Sequence, residues 1–210
     1  MSSFHTLCGD ITITHADPYF EDFASYNVSS SVSTMSDQPD CWEFIYTGTN
    51  ANYAPHVYNG TYAPNGNNAL VLVSGASSYG QTNYAIMPTF TNNLNTLVAS
   101  FKTKMESASS GTLVMGYITD INDGNTFTAL ETIAGSTSAA THTYELSGYT
   151  IPANARLAFR WEVTGATTYW SGAIDDIEIT LGCETPENIA VDENYTITYY
   201  PATTGKAIKA

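Results

Sequence analysis

Residues 173–181 read AIDDIEITL, a strand-like run that sets two adjacent carboxylates, Asp175 and Asp176, among branched apolar side chains. Strict alternation puts Ala173, Asp175, Ile177, Ile179 and Leu181 on one face, and Ile174, Asp176, Glu178 and Thr180 on the other. The first face is the apolar one, so on this reading Asp175 lies in line with core residues. An ionised carboxylate there is costly unless it meets a cation or hydrogen-bond donors. With only six Lys and Arg in the chain, a bound metal ion is a natural partner. The plainer alternative is that Asp176 and Glu178 face water while Asp175 accepts hydrogen bonds from loop amides.

A second group of residues suits recognition rather than ion binding. Tyr53, Tyr58, Tyr62, Tyr169 and Trp170 fall in or beside predicted loops. Flat aromatic faces in such places stack on sugar rings or anchor protein partners. Tyr58 and Trp170 are the candidates for ligand binding; the alternative is that these rings cover the ends of the fold as a satellite cluster. Residues 120–125, DINDGN, resemble the start of a calcium-binding loop but lack the Glu that such a loop needs at its end. A hairpin turn, with Gly and Asn at positive φ, is the better reading.

Signals for catalysis are weak. His5, His15, His56 and His142 are scattered without the spacing of a zinc-binding helix, and no phosphate loop, dinucleotide fingerprint or nucleophile elbow occurs. The E-x-D-x-x-E strand of laminarinase-like jelly-roll hydrolases is absent as well. A non-enzyme is expected; a glycan hydrolase built on carboxylates distant in sequence is the remaining catalytic option.

The elements that must position these residues follow from composition and patterning. A chain of 210 residues supports one substantial core. Its net charge of −14 argues against nucleic acid or an anionic membrane as partner, because both select a basic surface. Charged residues make up 12%, about half the usual share, a balance that suits an extracellular β-protein. No apolar run approaches the ~20 residues of a membrane-spanning helix, so membrane insertion is not expected.

Strand-like alternation recurs along the whole chain. Residues 11–14 and 19–23 begin it, and 42–47, WEFIYT, alternate Trp42, Phe44 and Tyr46. Residues 48–68 read as one long polar connection. Strands are then predicted over 69–74, 83–87, 95–104, 111–119, 127–133, 142–146 and 156–163, ahead of the acidic run. No segment holds a helical period. Ten to twelve short strands predict an all-β protein, a two-layer antiparallel jelly-roll sandwich.

Several of these segments, in order, carry a family resemblance: PYFEDF, PDCWEF, NGNNALVLV, YAIMPTF, TLVASFKTK, LVMGYITDINDGNTFTAL, RLAFRW and AIDDIEI with Cys183 and Pro186. Together they resemble the MAM-like jelly-roll modules of Bacteroidetes surface and secreted proteins, the cleaved adhesin or choice-of-anchor J domains, similar to the adhesin repeats of gingipains. The resemblance implies a MAM/concanavalin-like sandwich over residues 19–186, with 1–18 as a lead-in and 187–210 as a tail or linker to a neighbouring module. It further implies an exported, non-catalytic adhesion module at the cell surface or outside the cell, its signal peptide lying outside this sequence. The expected partner is a glycan or a host or matrix protein, besides neighbouring modules of the same polypeptide; an architectural spacer is the alternative.

The resemblance also implies a structural calcium ion that ties the first strand to the last, with ligands mapping onto Glu21, Asp175 and Asp176. Calcium takes roughly six to eight oxygens, so loop carbonyls or water must complete such a set. The loop Asn65-Gly66-Asn67-Asn68, which has fewer carboxylates than the family pattern, is the expected third contributor. Of the three cysteines, Cys8 and Cys183 flank the sandwich. A disulfide between them would close the domain, with free thiols as the alternative and Cys41 as a buried thiol beside Trp42.

Overall fold

The computed structural model describes residues 8–28, 38–59, 63–75, 80–108, 111–163 and 170–182. Tyr62, Tyr169, Cys183, Pro186 and the tail 187–210 lie outside the described residues. Eleven strands appear among those described: β1 (Tyr19–Glu21), β2 (Glu43–Ile45), β3 (His56–Asn59), β4 (Asn68–Ser74), β5 (Thr82–Ile86), β6 (Leu97–Met105), β7 (Thr112–Ile118), β8 (Thr128–Ile133), β9 (Ala140–Glu145), β10 (Arg156–Glu162) and β11 (Trp170–Leu181).

The strands form two antiparallel sheets, as the alternation predicts. One runs β3-β4-β11-β6-β9 with β1 added against β11, and the other runs β2-β5-β10-β7-β8. The last strand is the axis of the first sheet. Its early residues, Trp170 to Ile174, pair with β4, while Ile177 to Ile179 pair with β1. Since β6 takes the opposite side of β11, strands β1 and β4 lie end to end along one side of it.

Alternating inner residues of both sheets fill the space between them. Phe101 on β6 meets Phe159 on β10 edge to face, ring centroids 4.9 Å apart, and Trp161 is 0% exposed. An indole of that size fits because Gly172 faces it across the sandwich; a Cβ there would lie 2.9 Å from the ring. Trp161 Nε1 donates to the Trp170 carbonyl at 3.1 Å, satisfying its polar edge.

Four sequence-based expectations need correction. Residues 48–68 are not one connection, because β3 adds an edge strand whose Val57 enters the core while His56 and Tyr58 cover β4 from outside. The polar sequence HVYN hides it. Residues 11–14 form no strand; Ile11 makes a single parallel bridge to Phe90. The turn at 120–125 does join the antiparallel hairpin of β7 and β8, but it holds no positive φ; it closes in a short 3-10 turn, Gly124–Thr126, whose Asn125 N–H is capped by Asp123 at 2.9 Å.

The disulfide is the fourth. Cys8 pairs with Cys41, their Cα atoms 5.3 Å apart, and not with Cys183. Cys41 takes φ +65°, which turns it toward the N-terminal segment that the Ile11 bridge holds against Phe90.

Candidate cation site at the break in the last strand

Midway along β11 the alternation resets. Asp175 pairs with Lys102 and Glu178 with Ser100, so Asp176 and Ile177 together oppose the single residue Phe101. This is a β-bulge, and Asp176 adopts φ +47°, a left-handed conformation that Asp tolerates better than branched residues do. Ile174 faces the main core before the bulge, and Ile177 and Ile179 face it afterwards.

Asp175 therefore does not share the face of Ile177 and Ile179, as uninterrupted alternation would have it. It lies on the outer face with Ala173 and its cross-strand neighbour Lys102. Even there it is only 1% exposed. Its Oδ1 accepts the Asp176 N–H at 2.8 Å, but its Oδ2 is buried without a hydrogen-bond partner. Burial pushes the Asp175 carboxyl up to about 7, the neighbouring charges of Asp176 and Asp22 add to this, and the backbone N–H groups of Asp176 and Asn65 oppose it.

Asp176 has the opposite environment. Burial works to raise its pKa, but Lys102 Nζ at 2.6 Å and Asn65 Nδ2 at 2.5 Å outweigh it and hold the carboxyl below its ordinary value. Asn65 also accepts from Lys102 through Oδ1 at 3.2 Å. The loop before β4, the middle of β6 and the bulge of β11 are thus tied by one ammonium and one amide.

The end of β1 meets the same junction, since Glu21 stands opposite Ile177. Glu21 Oε1 accepts the Phe23 N–H at 2.8 Å, and Oε2 accepts the Tyr26 hydroxyl at 3.2 Å. Burial raises its pKa despite those bonds. Asp22 Oδ1 accepts the Ala24 N–H at 3.0 Å. Phe23, at φ +54° and 0% exposed, reverses the chain, and the carbonyls of Phe23 and Tyr26 turn to Asn68 Nδ2 at 3.1 and 3.0 Å.

Three chain segments thus converge on oxygen-rich ground, the setting a hard cation selects. Among the described residues, no group of three His, Cys, Asp or Glu side chains is placed to hold a metal ion. Asp175 Oδ2 is the buried acceptor without a partner, and Glu21 and Asp176 already have hydrogen-bond partners. Sequence reasoning placed the loop 65–68 at the site but did not assign Lys102 to it. The available signal was a lysine on the outer register of β6, one of very few cations in the chain.

Tyr58 and Trp170 do not share a platform. Tyr58 packs half-buried on the outer face with Ala69, Val71 and Val73, whereas Trp170 packs half-buried against the inner core. Their β4 partners, Ala69 and Ser74, are five residues apart, roughly 17 Å along the strand.

No protein-family model matches the chain, and no curated protein matches it. Solved structures do. The K1 cleaved adhesin domain of Lys-gingipain from Porphyromonas gingivalis W83 superposes with a TM-score of 0.51 at 19% identity, covering 79% of this chain and 98% of that one. The K2 cleaved adhesin domain of Lys-gingipain gives a TM-score of 0.52 at 14% identity, over 80% of this chain and 99% of that one. The chain has the fold of these adhesin domains, a two-sheet β-sandwich.

Proposed function

We propose that the protein is a non-catalytic, extracellular binding module that recognises a glycan or a host or matrix protein. The observation that carries this reading is the shared sandwich fold with the two gingipain adhesin domains over about four fifths of the chain. The acidic composition, net charge −14, supports it by disfavouring nucleic acid and anionic membranes as partners. In addition, no helix among the described residues is long and apolar enough to cross a membrane.

A calcium ion at the strand junction forms part of the proposal. Asp175 would supply the anchoring oxygen, with Asp22, Glu21 and Asp176 as the neighbouring carboxylates and loop carbonyls completing the set. The ion would neutralise an acidic cluster that Lys102 balances only at Asp176. Its role is structural, holding β1 against β11 where β4 begins.

The test is a binding screen of the folded protein against glycan arrays and immobilised matrix proteins, in parallel with calcium and with EDTA. Reproducible binding supports a recognition module, and its loss in EDTA ties recognition to the junction. Silence in both arms from a folded protein favours an architectural spacer.

A further inference from the structure

One edge of the sandwich is left open. Among the described residues, strand β9 pairs only with β6 and β8 only with β7, so no described strand closes the space between the two sheets there. His142 and Tyr144 on β9 point inward along this edge, opposite Phe101 and Ala99 of the core. Their ring planes are within 2° of parallel, with centroids 6.5 Å apart. Phe101 supports both rings from behind, at 5.5 and 6.1 Å. Both side chains remain only half-buried, so part of each ring is open to solvent.

The rim of this edge is polar. Glu131 on β8 stands opposite the core residue Met115, which turns its carboxylate toward the opening, where it accepts the Tyr149 hydroxyl. Thr103 Oγ1 meets His142 Nε2 at 2.9 Å. Burial lowers the His142 pKa, so its ring is neutral at pH 7 and adds no cation. Flat apolar faces in one orientation, bordered by hydroxyl and carboxylate groups, match the alternating C–H faces and hydroxyl edges of a pyranose.

We propose that the open edge between β8 and β9 is the glycan-binding site, with His142 and Tyr144 stacking on an uncharged sugar chain and Glu131 and Tyr149 hydrogen-bonding its hydroxyls. This rests on the reading of the protein as a binding module, and it specifies the ligand class and its location. An anionic glycan is disfavoured, because Glu131 stands at the rim of an acidic protein and His142 brings no charge to offset it.

The experiment uses the full chain with laminarihexaose, xylohexaose and mannohexaose as neutral probes, heparin as an anionic one, and collagen and fibronectin as protein probes. NMR follows the ring protons of His142 and Tyr144, and titration calorimetry gives Kd. The expected result is that a neutral hexasaccharide shifts both sets of ring signals. Tyr144→Ala and His142→Ala should each weaken binding by at least about tenfold, while Tyr144→Phe stays within about threefold. Thr141→Ala, on the opposite face of β9, should change nothing. Neutral-glycan binding without ring shifts, insensitive to these variants, overturns the site and leaves the binding module standing. Binding only to heparin or to a matrix protein does the same. Silence toward every probe overturns both readings.

Discussion

Lys102 Nζ stands 2.6 Å from Asp176 Oδ2, so an ammonium on β6 reaches across to the bulged residue of β11. Asp175, next in the chain, keeps one buried carboxylate oxygen without a partner. Two adjacent carboxylates thus differ in environment: Asp176 is neutralised by the protein, and Asp175 keeps a buried oxygen without a hydrogen-bond partner.

Calcium should raise the melting temperature above its value in EDTA. An ion bound only by the folded state, at a hundredfold excess over its Kd, adds about 2.7 kcal/mol. For a domain of this size that is about 5–10 °C. Asp175→Asn should remove the calcium shift while leaving stability in EDTA equal to or above that of the parent, because it deletes an unpaired buried charge. Identical parent melts in both buffers would dismiss a structural ion.

Lys102→Met should cost little in calcium. The pair is partly exposed, 36% and 22% for the two side chains, so its direct worth is about 0–1 kcal/mol. In EDTA the variant leaves Asp175 and Asp176 adjacent without a counter-charge, and the melting temperature should fall further. Calcium should recover most of that loss, as calorimetry in both buffers will show; an equal loss in each means that the lysine and the ion act on different charges.

The His56 contribution to stability should decline in mildly acidic solution. Asp175 and Glu21 contribute in the opposite sense, because their raised carboxyl pKa values make the folded state gain protons there. His56 is 0% exposed, its Nδ1 lies 2.6 Å from the Ala54 carbonyl, and burial holds its pKa below the ordinary 6.5. A base with a depressed folded-state pKa binds more protons when unfolded, so its contribution is complete above 6.5 and is lost as pH falls toward the folded value. His142 has the same sign. In denaturant titrations at stepped pH, the stability of the parent relative to His56→Gln should fall as the pH drops below 6.5; a difference that does not change with pH would dismiss the histidine's role.

Reduction should destabilise the protein by about 4 kcal/mol, because the Cys8–Cys41 bond closes a loop with a sequence separation of 33. Cys8→Ser and Cys41→Ser should cost the same, and the double variant no more than either single one. Additive losses in thermal melts would mean that the cysteines act independently.

Much of this architecture was legible from residue patterns. Alternation in TLVASFKTK and RLAFRW predicts β6 and β10 because a strand with one buried face must place apolar residues at every second position. The acidic pair in AIDDIEITL marks the junction for the same reason: carboxylates interrupt a strand that is otherwise apolar. Strand β3 escaped because an edge strand needs few apolar positions, and HVYN offers one inner residue, Val57.

Local sequence thus specifies the all-β class, the approximate strand positions and the acidic character of the last strand, since each depends on short-range periodicity and charge. The tertiary structure alone decides on which face Asp175 lies, that Lys102 reaches Asp176, that Cys8 joins Cys41, and that β8 and β9 are edge strands among the described residues. Those facts depend on register and on which strand ends meet. A single inserted residue such as Asp176 at φ +47° reverses the face of everything on one side of it, and alternation read along one strand holds no information about where its neighbours stop.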